Sequence, residues 1–346
     1  MLSKDDCLVM RGLAIMSIFV HNYCHMLLGA VHENEFWFSE ENNREFWMKV
    51  FGSDVVVQVF SYLGHLGVPV FVFLTGYGLS VKYGKCANDN DVGTFVWNHY
   101  RKFLTPMFWG MVAFIAVYLV LNGSLWNGWL QTFVAQMTMT CNLVFHPDRL
   151  IKPGPYWYFG MTMQLYLIFR LVVCRCNQRF FLLVVTLSVV MLVFLETHRY
   201  SLIWYKYNAV GWLLPFAIGI WAPRLIHCLP MHRRWWLMVM VAAGASVLLF
   251  GGNYWLWVFV PVMSLVFFVG ASKCIGRGVV YKVAKFLGRI SLYIFVVHPI
   301  VREIVRHYVD NNYRYVGLMV YVILVVGCSW CLLKLKQYFT VQTADS

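Results

Sequence analysis

The chain is 346 residues long, 60% hydrophobic and 18% aromatic but only 12% charged, roughly half the charged share of an ordinary soluble domain. That balance excludes a soluble globular enzyme and makes the chain an integral membrane protein whose surroundings are membrane lipids. Its net charge of +13 is read first as a topology signal; no nucleic acid is expected as a partner, because the basic residues are spread over five short loops or tails.

Apolar runs of about 17 to 25 residues, the length that crosses ~30 Å of hydrocarbon at ~1.5 Å per residue, predict an all-α polytopic fold. The ten expected transmembrane helices lie near residues 7–30, 55–81, 103–122, 155–174, 179–196, 208–223, 235–251, 254–271, 286–305 and 316–333, in a single domain covering 1–346. The first run lacks a small-x-small cleavage site and is read as a retained span. With the N-terminus cytoplasmic, 19 of the 28 lysines and arginines fall on the cytoplasmic side and 10 of the 15 acids fall outside. This satisfies the positive-inside rule with both termini cytoplasmic.

Span one carries a cation at its start and two histidines in its second half: Arg11, His21 and His25. His21 lies ten residues beyond Arg11, ~15 Å along the axis, and His25 follows at i+4 on the same face. Ionisable groups at membrane depth cost ~2.5–3.5 kcal/mol when charged and mark functional sites, although helix-packing histidines bonded to neighbouring carbonyls are an equal reading. The segment 31–54 holds Glu33, Glu35, Glu40, Glu41 and Glu45 among Phe36, Trp37, Phe38 and Trp47 and is expected to form a small external cap. Interface anchoring is the plain reading of these aromatics, and carbohydrate stacking the sharper one.

Span two, Gly64-His65-Leu66-Gly67-Val68-Pro69 through Thr75-Gly76-Tyr77-Gly78, predicts a broken helix, which membranes tolerate where the freed backbone faces protein or a cavity. Its small residues suggest that another backbone approaches closely. Arg101 and Lys102, at the cytoplasmic mouth of span three, suit phosphate binding as well as ordinary snorkelling. The moderately apolar segment 124–155 is expected to be an external re-entrant or interfacial helix, since another crossing would invert every later loop. Tyr156 and Trp157 then open span four, which carries Gln164 and Tyr166.

Span nine repeats the arrangement of span one, with Arg289 and Ser291 near the cytoplasmic side and His298 nine residues above Arg289. The ten cysteines do not form a framework: most are placed in spans or on the cytoplasmic side, where thiols stay reduced. Cys24 and Cys141 can both face outward, with nothing to support a bridge between them. Cys328-x-x-Cys331 has redox or metal spacing but lies in an apolar helix end and is read as packing; no metal is expected.

Four separated motifs together resemble the acyltransferase-3 family of membrane acyltransferases. They are Arg11 to His21, Val68 through Tyr77, Tyr156-Trp157 through Gln164-Leu-Tyr166, and Leu287-Gly-Arg-Ile-Ser-Leu-Tyr293 to His298. The resemblance covers nearly the whole chain. It implies an O-acyltransferase of a bacterial inner membrane that moves an acetyl group from cytoplasmic acetyl-CoA to a hydroxyl of a surface glycan or lipid-linked sugar. It also implies that the span-one histidine is catalytic and that basic residues at the cytoplasmic mouth hold the CoA phosphates. Arg11, Thr75, Arg101, Lys102, Arg289 and Ser291 become the donor-binding candidates, Tyr156, Trp157 and Gln164 the acceptor-binding ones, and His21, His25 and His298 the catalytic ones.

Nine residues separate Arg11 from His21 where the family commonly has ten, which keeps His25 as a rival to His21. A neutral buried imidazole is a suitable base for a sugar hydroxyl, and a covalent acetyl-histidine is the other route. A transporter or flippase for a glycan or lipid-linked intermediate is the competing function.

Overall fold

The computed structural model describes residues 2–84, 91–225, 232–308 and 313–342. Lys85, part of the 224–234 basic turn, and the last four residues, all part of the topology argument, lie outside the described residues. No strand occurs among the described residues, in agreement with an all-α fold.

Eight helical segments are long and apolar enough to cross a membrane. They are α1 (Lys4–Cys24), a broken segment from α3 (Val55–Leu63) to α4 (Val68–Tyr83), α5 (Val92–Asn122), α8 (Gln178–Leu195), α11 (Arg233–Gly251), the segment ending in α12 (Val260–Cys274), α13 (Val279–Tyr308) and α14 (Arg314–Gln342). The two remaining expected spans are shorter. One is α7 (Trp157–Ile168), extended by a π-helical turn at Phe169–Val173; the other runs from Ala209 into α10 (Leu213–Leu225). Three short helices complete the chain: α2 (Glu40–Lys49) in the cap, α6 (Trp129–Met137) and α9 (Arg199–Tyr207).

Four segments form the centre of the bundle. In α1, α3–α4, the α12 segment and α13, more than half of the apolar stretch is buried, whereas in α5, α8, α11 and α14 only about a fifth is. The latter therefore present apolar surface to lipid. Glycines set the central crossing. A Cβ on Gly12 of α1 would stand 1.7 Å from the Ala284 carbonyl oxygen of α13, and one on Gly288 of α13 would stand 2.0 Å from the Leu8 carbonyl oxygen. At the N-terminal end, Ser3 and Asp6 cap α1 reciprocally, and Asp6 and Asp5 pair with Lys273 and Lys285, each at 2.6 Å.

The segment 124–155 re-enters the bundle. Trp126 packs near Tyr118 at the far end of α5, Phe133 against Phe108, and the Met137 carbonyl accepts a hydrogen bond of 2.8 Å from Tyr100. The chain thus descends along α5 by several turns, and nine-residue α6 does not cross. As a result α7 starts at mid-bundle depth: the Tyr156 hydroxyl lies against Gly110, halfway along α5, and donates to the Val296 carbonyl at 3.0 Å.

Cys24 and Cys141 are both free thiols. Cys174 is disulfide-bonded, a departure from the expectation that cysteines in spans or on the cytoplasmic side stay reduced.

Candidate functional site

The break in the second span is built around α1. Between α3 and α4 the chain tightens into a 3-10 turn, Gly64–Gly67, with Pro69 at the start of α4. Pro suits the first turn of a helix, where its missing N–H costs nothing. A Cβ at Gly64 would come 2.5 Å from His21 Cβ, and one at Gly67 would come 2.4 Å from the Ala14 carbonyl oxygen. The backbone that the small residues admit is therefore that of α1. The break in exchange offers carbonyls, one from the turn and one from the last turn of α3: Ser17 donates to Gly64 O at 2.9 Å, and His21 Nδ1 donates to Phe60 O at 3.0 Å. Because a carbonyl only accepts, the proton of neutral His21 is on Nδ1 and the Nε2 lone pair is free. His21 itself is 7% exposed.

Below His21, towards the N-terminal end, lies a cavity of about 410 Å³. Its upper wall includes Ile18, one turn beneath His21, with Tyr158 and Phe295; its lower wall carries Arg11, Lys82, Lys102 and Arg289. Among the described residues no carboxylate lines it, and none of the four cations makes an ion pair. The α1 carboxylates Asp6 and Asp5 pair with Lys273 and Lys285 instead, Asp5 keeping a longer-range attraction to Arg289. Such a pocket, largely apolar above and positively charged below, fits a ligand with an anionic head and an apolar portion.

Thr75 and Ser291 also line this cavity, each hydroxyl bonded to a carbonyl of its own helix, Phe71 and Gly288. Arg101 does not line it and is exposed. Lys82, His99, Tyr158 and Thr162 do line it and were not singled out as ligands from the sequence. The charge count alone explains Lys82 from the sequence, although its place about two helical turns beyond Thr75 and one beyond Gly78, on the same face, was the available signal.

The structure separates the remaining candidates. His298 is fully buried, with Nδ1 donating to Ile294 O at 3.0 Å, its ring against Phe295, and Nε2 without a hydrogen-bond partner. Gln164 spends both ends of its amide on the chain, donating to Asn208 Oδ1 at 2.8 Å and accepting from the Ala209 N–H at 2.9 Å. Trp157 stacks on Trp212 and meets Phe36 and Tyr207 edge-on. Tyr156 is fully buried. None of the three lines the cavity.

Above His21, the cap loop folds down onto α1. His25 stacks near His21 with ring centroids 5.4 Å apart, and its Nδ1 pairs with Glu33 Oε2 at 2.7 Å. His65 and His32 approach edge-on, His65 to His21 and His32 to His25. The loop is tied at Asn34, whose carbonyl accepts from Trp257 Nε1 at 2.7 Å, and at the Glu35 carbonyl, which accepts from Lys206 Nζ. Burial works to raise the Glu33 carboxyl, but the hydrogen bond from His25 and the nearby imidazoles outweigh it and hold the group well below the usual carboxylate range. Burial pushes the Glu35 carboxyl up, with Glu33 adding to the effect, and pushes the Lys206 ammonium down against its attraction to Glu35. Glu33 had been read only as one acid of a polar cap; its place eight residues beyond the end of a His-x-x-x-His helix gave no hint that the loop returns to His25.

A family model described as an acyltransferase domain matches residues 8–334. No curated protein and no solved structure matches the chain.

Proposed function

This chain belongs to the acyltransferase-3 family, and on that premise we propose that it is an O-acyltransferase of a bacterial inner membrane, taking acetyl from acetyl-CoA at the cytoplasmic end and delivering it to a hydroxyl of a glycan or lipid-linked sugar at the opposite end. The observation that carries this reading is the cationic cavity that rises from the N-terminal end to the turn beneath His21. Arg11, Lys82, Lys102 and Arg289 supply donors for the phosphates, charge-assisted bonds being about twice as strong as neutral ones. The apolar upper half is shaped for the pantetheine arm.

His21 supports the chemistry. Its Nε2 takes the proton of the acceptor hydroxyl as the oxygen attacks the thioester carbon; the carbon–sulfur bond breaks, and the imidazolium returns that proton to the leaving thiolate. The Phe60 carbonyl holds the ring in the tautomer the step needs and stabilises the imidazolium that forms. His25 has a carboxylate partner of its own and faces the external cap, so His21 is the group between donor cavity and acceptor side.

A positioned base of this kind contributes ~10²–10⁴-fold to rate. His21→Ala is therefore expected to lower acyl transfer by at least ~10²-fold while the protein still inserts and unfolds at its usual temperature. Mass spectrometry of surface glycans from cells carrying wild type, His21→Ala or no gene is the test. An acyl mass present with wild type and retained in His21→Ala would sink the assignment.

A further inference from the structure

The proposed transfer needs one imidazole, yet four lie in a connected group at the upper end of α1. The ring-centroid separations are 5.4 Å for His21–His25, 5.8 Å for His21–His65 and 5.3 Å for His25–His32. Glu33 adds a carboxylate at 2.7 Å from His25 Nδ1. One ligating atom each from His21, His25 and Glu33 falls within 4.8 Å of the other two.

The geometry points to a site for one divalent transition-metal ion held by His21, His25 and Glu33, and we propose that zinc is the ion it suits best and that zinc bound there blocks acyl transfer. The binding half stands on geometry alone; the blocking half rests on His21 being the base, because the ion occupies the same Nε2 lone pair.

Four features support the site. Histidines at i and i+4 on one helix face, completed by a carboxylate from another segment, make up a donor set well suited to zinc, with a fourth position left open. Two imidazoles and a single carboxylate favour zinc, copper, nickel or cobalt, whereas magnesium and calcium require a shell of oxygens. His21 already has the outer bond expected of a ligating histidine, Nδ1 to the Phe60 carbonyl, which leaves Nε2 as its ligating nitrogen. Access is graded: His25 is 34% and Glu33 17% exposed, His21 only 7%, so an ion enters from the cap side and meets His21 last.

Tetrahedral zinc ligands at ~2.0–2.1 Å from the metal stand more than 3 Å apart. Glu33 must therefore withdraw slightly from His25, a motion of one loop side chain.

The test uses the purified full chain in detergent, titrated with Zn²⁺ by calorimetry and with Co²⁺ by its visible absorption, first without donor or acceptor. One ion per chain is expected, with the absorption of a four-coordinate site. Glu33→Gln and His25→Ala are each expected to weaken binding at least ~10-fold, since loss of even an outer partner of a ligand costs ~10–100-fold, while His32→Ala leaves it within about threefold. Glu33→His, which keeps a nitrogen ligand, is expected to recover most of the affinity. Each variant is compared only if its metal-free thermal unfolding matches wild type. Absence of 1:1 binding, or affinity unchanged in both Glu33→Gln and His25→Ala, overturns the site.

Zinc is then added to an acyl-transfer assay, where inhibition reversed by EDTA and shifted in Glu33→Gln in step with the binding constant is expected. Binding without inhibition, or activation, overturns the blocking role. Because the titrations need no turnover, a chain with no transferase activity would refute the proposed function and leave the metal site standing or falling on its own.

Discussion

Arg101 and Lys102 are neighbours in sequence and strangers in space. One residue is about 100° around a helix, so with Lys102 on the cavity wall Arg101 points away from it. Lys102→Ala is expected to raise KM for acyl-CoA by ~10-fold or more, since a hydrogen bond to a charged group is worth ~1.5–3 kcal/mol, while Arg101→Ala changes it less than twofold. Steady-state kinetics in detergent at fixed ionic strength would separate the two, and equal effects would mean that the phosphates sit lower than the cavity wall. At Gln164 the amide is divided between Asn208 and the Ala209 N–H. Gln164→Leu strands both, at ~1–3 kcal/mol each for a buried group left unpaired; the expected result is a lower melting temperature with KM for the donor unchanged.

At the scale of elements, the broken second span and the α1–α13 crossing are one device. The break brings two carbonyls to α1, Gly64 O from the 3-10 turn and Phe60 O from the end of α3, and its glycines remove two side chains so that α1 can reach them. Gly67→Ala would press a methyl to 2.4 Å from Ala14 O, and overpacking of this kind costs ~1–3 kcal/mol. Thermal unfolding should show that loss, together with reduced kcat because Phe60 O shifts against His21. Gly78→Ala, where nothing lies within 4 Å of the added carbon, should be neutral or stabilising, as Ala is the better helix former by ~1 kcal/mol. Similar losses at both positions would show that close approach to α1 does not set the cost, since helix propensity alone favours alanine.

Across the whole molecule, the two ends of the site differ in charge. The end holding Arg11, Lys102 and Arg289 is positive, with no ion pair to these three among the described residues, and the end holding the cap carries Glu33 and Glu35. With the positive end cytoplasmic, Met48→Cys in the cap, 68% exposed, should react with an impermeant maleimide on intact cells. Arg277→Cys, exposed before α13, should react only after lysis. These variants are best made with the exposed thiols Cys176, Cys328 and Cys331 replaced by serine. Labelling in the reverse pattern would invert the direction of transfer.

Much of this architecture is local and was therefore legible in the chain itself. Span positions follow from apolar run length, the expected orientation from charge counts, the break near Gly64 from Gly and Pro chemistry, and the mid-membrane depth of His21 from a rise of ~1.5 Å per residue. What only the tertiary structure decided depends on crossings between segments far apart in sequence. Glycine contacts set how α1 meets α3, α4 and α13. The re-entrant segment starts α7 at mid-depth, which buries Tyr156 and Trp157 instead of leaving them at the surface. The cap loop folds back to bring Glu33 onto His25. Helical periodicity gives each residue a face and a height, but not the partner it meets there, since that partner comes from another helix whose rotation is set by packing.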